Sequence, residues 1–281
     1  CPLRCKWCSN PEGLERKYQV MFKEDLCVNC GNCIPICPAH IHFFQDEAGR
    51  RHRVNRDIDC IGCRKCESVC PKQALSVVGS EKTISQVMDI IQQDMPFYMS
   101  SGGGITLGGG EVTAQPEFAT NLLTECKRLG IHTAIETSGY VKQEALLRIA
   151  EFTDLFLFDI KHIDSERHYE LTGVHNERIL DNLTELIRRG YNVKVRMPLI
   201  RGLNDSEDAI GRTLEFLQPF KIYKNFQGID LLPYHKLGIN KYKQLDMKYP
   251  IAEDLSFKAE ELAKIEEFIK GYDIQVTVIR H

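Results

Sequence analysis

The sequence predicts an α/β fold, a parallel sheet or barrel with helices outside it, joined to a cysteine-rich insert. Three observations carry this. Strand and helix patterns alternate over residues 79–281. Eight cysteines over residues 27–78 fall into two similar runs. Several strands end in polar, reactive-looking tails. Alternation of this kind is what βαβ units require, and in such folds function sits at the C-terminal ends of the strands.

The elements follow in order. Thr83 to Ile91 spaces apolar residues as a helix does. Gly104-Ile-Thr-Leu107 is a short strand before a glycine-rich turn. Pro116 opens a helix to about Leu129, closed by Gly130. Ile131 to Glu136 is the next strand and Val141 to Ala150 the next helix. Leu155 to Ile160 reads as a strand apolar on both faces. A helix over Asp181–Arg189, a strand over Asn192–Met197, and a helix over Ser206–Leu217 continue the rhythm. A strand over Gly228–Leu232, a helix over Phe257–Lys270 and a strand over Ile274–Ile279 complete it. The tails at issue are Gly108-Gly-Gly-Glu111, Glu136-Thr-Ser-Gly139, Asp159-Ile-Lys161, Arg196-Met-Pro198 and Pro233-Tyr-His235.

Composition narrows the class. The 281 residues are 43% hydrophobic and 27% charged, ordinary for a soluble globular protein. No apolar run approaches the roughly 18 residues that span a membrane. A formal net charge of -3, with lysine and arginine scattered, gives no field for nucleic acid. Neither membrane nor nucleic acid is expected as a partner. Cysteine is the anomaly: eleven of twelve lie in the first 70 residues, and the rest of the chain holds only Cys126. A disulfide framework suits short secreted chains. A cysteine-dense segment ahead of a long enzyme-like body points instead to metal in a reducing compartment, and a cytoplasmic location is expected. The sequence opens on Cys1, already a motif residue, without Met or signal segment. It is expected to lack its native N-terminus, so the missing targeting segment weighs little.

Cys27, Cys30, Cys33 and Cys37 follow C-x2-C-x2-C-x3-C with Pro38 next, and Cys60, Cys63, Cys66 and Cys70 repeat it with Pro71 next. This is the spacing of bacterial two-cluster ferredoxins, in which the fourth Cys of each run ligates the other cluster. One cluster is therefore expected on Cys27, Cys30, Cys33 and Cys70, the other on Cys60, Cys63, Cys66 and Cys37. Structural zinc is the rival, since paired C-x2-C units bind it. Zinc leaves the third close Cys and the doubled Cys-Pro unexplained.

Cys1, Cys5 and Cys8 stand at C-x3-C-x2-C and offer three thiolates without an obvious fourth. On a cubane, one iron would lack a protein ligand, as a catalytic metal site needs. A molecule with amino and carboxylate groups would chelate it. A zinc knuckle, or a distant fourth ligand such as Cys126, is the structural alternative; Cys126 lies mid-helix, where a core or surface thiol fits better.

Cys1 to Cys8 with Ser9-Asn10-Pro11-Glu12 resembles the radical S-adenosylmethionine signature of glycyl-radical-enzyme activating enzymes. The insert resembles the branch of that family with two auxiliary clusters. Gly109-Gly-Glu111, Asp159-Ile-Lys161, Val195-Arg196-Met-Pro198 and Pro233-Tyr-His235 match the family in order, so the likeness covers essentially the whole chain. It implies a partial (β/α)6-type radical SAM barrel with an inserted two-cluster ferredoxin-like domain. The divisions are residues 1–26 for the cluster loop, 27–78 for the insert and 79–281 for the rest of the barrel. It also implies a strand and loop ahead of the first Cys that this sequence does not contain.

The Gly-rich run Ser101 to Glu111 fails as G-x-G-x-x-G, because Leu107 stands where the third Gly belongs. It also fails as a Walker loop, because no Lys follows. Physically it reads as close backbone approach to a ligand after a strand. The resemblance implies that Gly109, Gly110 and Glu111 contact the methionine amino group. It also makes Ser138, Lys161, Arg196 and His235 cofactor contacts and places Trp7 near the adenine. Lys161 suits a counter-ion to a carboxylate, and Arg196 offers a planar fork for carboxylate or ribose. Glu136, Thr137 and Asp159 offer oxygens at adjacent strand ends, where related enzymes bind a monovalent cation. Glu136 replaces a familiar Asp, and plain hydrogen bonding is the equal alternative.

The implied cofactors are three [4Fe–4S] clusters, S-adenosyl-L-methionine and a monovalent cation. The implied reaction is reductive cleavage of S-adenosylmethionine to a 5′-deoxyadenosyl radical that takes hydrogen from a backbone glycine. The implied partners are a glycyl radical enzyme and a flavodoxin- or ferredoxin-type electron donor. A simple electron-transfer module would need only the insert. A radical enzyme acting on a small molecule is the other alternative.

Overall fold

The computed structural model describes residues 1–46 and 50–279. The chain packs as two compact units. One comprises residues 8–81 and 237–252, the other residues 1–7, 82–236 and 253–281.

In the first unit, β1 (Gln19–Phe22), β2 (His42–Phe44), β3 (His52–Val54) and β4 (Leu75–Val78) form two antiparallel pairs, β1 with β4 and β2 with β3. Short helices Cys33–Ile36 and Lys65–Val69 carry the third cysteine of each run. Val20, Phe22, Ile41, Val54, Ala74 and Val77 pack with Cys33, Cys37 and Cys66 into one small core. The sequence alone predicts no strands here. Runs of three or four residues carry too little periodicity to register, and the cysteine loops set their positions.

The second unit is a six-stranded sheet made of β5 (Gly104–Leu107), β6 (His132–Thr137), β7 (Leu155–Asp159), β8 (Val193–Leu199), β9 (Phe226–Pro233) and β10 (Val276–Val278). Every pairing is parallel and the spatial order is the chain order, β5 at one edge and β10 at the other. Helices Pro116–Arg128, Gln143–Ala150, Glu177–Arg188, Glu207–Leu217 and Ala259–Ile269 alternate with the strands, as expected. The first helix of this unit, Ile84–Ile91, starts on a capping box between Thr83 and Gln86. Helix Ser165–Thr172 was not anticipated. Its sequence has no apolar stripe, and its ends define it instead: Asp164 accepts from Arg167 N at the N-terminus, and Gly173 at φ +81° closes the C-terminus.

The sheet has two chemically different faces. Phe156, Phe158, Val193, Val195, Met197, Ile229 and Leu231 are wholly buried in the main core, packed with helix residues such as Leu183 and Leu186. The opposite face carries charge. β7 is therefore not apolar-buried on both sides, because Leu155, Leu157 and Asp159 alternate with the buried phenylalanines and are half-buried. In register, Asp159, Arg196 and Asp230 form one row across β7, β8 and β9. Gly139, just past β6, sits at φ +70° with a notional Cβ 2.1 Å from the Phe158 ring, so only glycine fits this turn. Among the described residues no helix is long and apolar enough to cross a membrane.

Candidate active site and metal centres

The parallel topology brings the C-terminal ends of the strands to one edge of the sheet, and the expected strand-end residues meet there. Glu111, after β5, is tied to the end of β6. Its Oε1 accepts from Thr113 N at 3.1 Å, Thr113 Oγ1 at 2.9 Å and Thr137 Oγ1 at 2.7 Å. Its Oε2 accepts from Ser138 N at 2.9 Å and Ser138 Oγ at 2.6 Å. Five donors on one carboxylate hold the glycine-rich turn against Thr137 and Ser138, both buried. Within that turn Gly109 has φ +111° and open space where a side chain would project. Thr137 thus spends its hydroxyl on Glu111.

Glu136, Asp159, Lys161 and Arg196 form a second network. Arg196 donates through Nε to Asp159 Oδ1 at 3.1 Å and through Nη1 to Glu136 Oε1 at 2.8 Å. Lys161 Nζ donates to Asp159 Oδ2 at 3.0 Å. Burial opposes charge on Arg196, but Asp159 and Glu136 outweigh it and hold the guanidinium above its ordinary value. Burial likewise opposes charge on Lys161. The charges of Asp159, of Cys5 as a thiolate and of Glu111 outweigh it, so the ammonium persists although its side chain is only 12% exposed. Lys161 is thus electrostatically coupled to Cys5 as well as to the strand ends. Its backbone is fixed by buried Asn204, which donates to Lys161 O at 2.9 Å and Pro198 O at 2.6 Å.

The cysteine loop is anchored by its backbone. Arg4 N donates to Thr172 O at 2.6 Å and Lys6 N to Leu171 O at 3.0 Å, joining the loop to the end of helix Ser165–Thr172. Leu3 and Trp7 are buried. Cys8 Sγ accepts from Asn10 N at 3.4 Å. His235 follows β9 directly behind Tyr234, whose N–H bonds Leu199 O at 2.8 Å. Cys126 is wholly buried beside Met88 Sδ at 3.7 Å and serves as a core thiol. Asp230 and Lys194, paired at 3.0 Å on the charged face, escaped the sequence reading. A charged residue between Ile229 and Leu231 in an apolar strand was the available signal.

In the other unit Cys27, Cys30, Cys33 and Cys70 line one cavity. Cys37 keeps company with Cys60 and Cys66, and Cys60 with Cys63. Cys70 thus lies with the first three cysteines of the other run, and Cys37 is electrostatically coupled to Cys60 and Cys66. Backbone N–H groups of Asn29, Gly62 and Ala74 point at Cys27, Cys60 and Cys70 sulfurs at 3.4, 3.4 and 3.2 Å. Burial pushes the Cys33 thiol up to about 12 and Cys66 up to about 11, so these sulfurs ionise only with a cation at hand. Four converging thiols with N–H donors aimed at sulfur fit a cubane.

Comparison with known proteins identifies both parts. Residues 70–216 match the Radical SAM superfamily model, and residues 20–77 match a 4Fe-4S dicluster domain. The choline trimethylamine-lyase activating enzyme of Oleidesulfovibrio alaskensis is 58% identical over 281 residues, covering 100% of this chain and 90% of that protein. The trans-4-hydroxy-L-proline dehydratase activating enzyme of Clostridioides difficile is 41% identical, covering 97% of this chain and 88% of that protein. Among solved structures, a domain of a pyruvate-formate lyase-activating enzyme from Bacteroides vulgatus superposes with a TM-score of 0.52 at 29% identity. It covers 63% of this chain and 99% of that one. A parallel α/β sheet with charged strand ends, a cysteine-rich dicluster unit and full-length likeness to activating enzymes lead to one assignment: the chain belongs to the radical SAM superfamily, among its glycyl-radical-enzyme activating enzymes.

Proposed function

We propose that this enzyme activates choline trimethylamine-lyase by placing a radical on a backbone glycine of that partner. The observation that carries the partner is the 58% identity to a choline trimethylamine-lyase activating enzyme over the whole chain. The stretches Asp159 to Asp164, His168 to Gly173 and Ile229 to His235 resemble the activating enzymes of that lyase and support the same reading.

In this reading Cys1, Cys5 and Cys8 hold a [4Fe–4S] cluster with one iron left for the amino and carboxylate groups of S-adenosylmethionine. A reduced cluster held there would supply the one electron needed to cleave the S–C5′ bond of S-adenosylmethionine, and the residues around it would hold the cofactor so that its 5′ carbon can take hydrogen from the partner's glycine. Lys161 supplies positive charge beside Cys5, where a methionine carboxylate would lie. Glu111 shapes the Gly109–Gly110 turn that receives the amino group. Because its oxygens already take five donors, its main work is positioning, and a ligand ammonium adds to that set. Trp7, Ser138, Arg196 and His235 complete the nucleoside side. Glu136 and Asp159 neutralise Arg196 and Lys161, so Arg196 takes the place of the monovalent cation that Glu136, Thr137 and Asp159 would otherwise bind.

Cys27, Cys30, Cys33 and Cys70 would hold a second cubane, and Cys60, Cys63, Cys66 and Cys37 a third. Clusters there would supply a relay for electrons from a flavodoxin- or ferredoxin-type donor. The test is anaerobic. Reduced protein and S-adenosylmethionine are mixed with choline trimethylamine-lyase or with trans-4-hydroxy-L-proline dehydratase and followed by EPR. A glycyl doublet on the first lyase with stoichiometric 5′-deoxyadenosine is expected. Absence of 5′-deoxyadenosine refutes the chemistry, and a doublet on the second lyase alone refutes the partner.

A further inference from the structure

His52 opens β3 and is buried against the cavity lined by Cys27, Cys30, Cys33 and Cys70. Its Nε2 lies 3.3 Å from Cys33 Sγ and 3.1 Å from His42 Nδ1, and its Nδ1 lies 3.9 Å from Cys27 Sγ. The ring is clamped. Phe22 meets it edge-on with centroids 4.8 Å apart, and His52 N donates to Asn29 Oδ1 at 2.9 Å. His42 is also buried, and its Nε2 has no hydrogen-bond partner among the described residues.

A neutral imidazole carries one N–H and one bare nitrogen. If His42 Nδ1 bears hydrogen, it donates to His52 Nε2, and the His52 hydrogen sits on Nδ1, facing Cys27. If His42 Nδ1 is bare, it accepts from His52 Nε2–H, and that same hydrogen faces Cys33. In both cases the His52 hydrogen meets a sulfur of one quartet. A thiolate at Cys33 favours the second arrangement, because a bare nitrogen at 3.3 Å would set lone pair against lone pair. The other quartet is different. Among the described residues no imidazole bonds its sulfurs, and the contact there is Gly62 N–H to Cys60 Sγ at 3.4 Å.

We propose that His52 donates an N–H···S hydrogen bond to the cluster held by Cys27, Cys30, Cys33 and Cys70, raising its reduction potential above that of its twin. The inference rests on the cluster assignment proposed above. Hydrogen bonds to sulfur favour the more negative, reduced cluster and so raise the potential. The nearly symmetrical pair becomes directional, and an electron entering the unit rests on the His52 side. His52 is a positioning and tuning residue and touches no reacting atom of S-adenosylmethionine.

The experiment uses the full-length protein, reconstituted anaerobically and titrated with dithionite under EPR, with added S-adenosylmethionine marking the third signal. In His52→Phe, one auxiliary midpoint potential is expected to fall while the other stays, with iron and sulfide content unchanged. His52→Gln, which keeps an N–H donor, is expected to recover part of the shift. Unmoved midpoints at full iron content overturn the proposal. Should His52→Phe lose iron, the intact protein decides: with 15N-labelled histidine, pulsed EPR is expected to show a nitrogen coupled to one auxiliary cluster, and absence of coupling overturns the proposal. If wild-type protein carries zinc on Cys33, His42 and His52 in place of a cubane, the cluster assignment itself fails.

Discussion

Asp159 and Arg196 are register partners on β7 and β8, and Arg196 Nε donates to Asp159 Oδ1 at 3.1 Å along that row. The same guanidinium reaches Glu136 on β6 at 2.8 Å, so one planar fork spans three strand ends. A lysine ammonium is a point charge and cannot hold both geometries. Arg196→Lys should lower stability by about 1–2 kcal/mol, the scale of one lost charged hydrogen bond partly screened by solvent. Arg196→Leu should cost more, because Glu136 loses its counter-charge and Asp159 is left with Lys161 alone. Anaerobic urea unfolding measures this. An Arg196→Lys protein as stable as wild type would show that the fork is idle.

Glu111→Gln tests the turn. The amide keeps the size of the carboxylate but replaces one acceptor oxygen with a donor, which then faces either Thr113 and Thr137 or Ser138. Loss of charged acceptance at about 1.5–3 kcal/mol corresponds to S-adenosylmethionine affinity weakened roughly 10- to 100-fold. Isothermal titration on protein with all clusters in place gives the number. Iron content should be unchanged, since Glu111 lies on the strand-end side of the site.

The parallel sheet was legible because each strand is short, holds apolar residues in a run or in alternation and is bounded by glycine or charge, and helices such as Pro116–Arg128 announce both ends. Helix Ser165–Thr172 was not, since its signal lay in its caps rather than in a stripe. The strand-end residues could be named from their positions. Their pairing could not be, because the Arg196 bonds depend on the register of three strands. His52 was invisible for a similar reason: it lies 19 residues from Cys33, and only the β2–β3 hairpin brings it to that sulfur.

His168 gives the fold a pH dependence near neutrality. Its imidazole is buried in helix Ser165–Thr172, bonded through Nδ1 to Val174 O at 2.6 Å. Burial pushes its pKa below the ordinary 6.5, and nearby Lys161 and His162 push the same way. The unfolded chain therefore binds a proton first as pH falls. Stability from this group is fully present above about 6.5 and is lost as pH drops through the depressed folded value. His162 is depressed too, with burial the leading cause, and adds to the slope. Anaerobic unfolding at pH 7.5, 6.5 and 5.5 should show stability falling, and His168→Asn should flatten the fall while lowering stability at pH 7.5. A slope unchanged by the substitution would assign the dependence elsewhere.

The crossing of fourth cysteines yields the sharpest prediction. Cys37 follows Cys33 in sequence yet lies with Cys60 and Cys66, while Cys70 lies at the cavity of Cys27, Cys30 and Cys33. If sequence neighbourhood decided ligation, Cys37→Ser would damage the His52-side cluster. The crossed arrangement predicts the reverse. Cys37→Ser should lose up to ~4 irons from the far cluster and leave the histidine-coupled signal intact, whereas Cys70→Ser should abolish that signal and spare its twin. Both variants should keep the signal that S-adenosylmethionine perturbs, because Cys1, Cys5 and Cys8 are untouched. Iron analysis with pulsed EPR on 15N-histidine protein separates the two outcomes. A histidine-coupled signal lost in Cys37→Ser and kept in Cys70→Ser would reverse the ligand assignment and, with it, the direction in which His52 biases the electron.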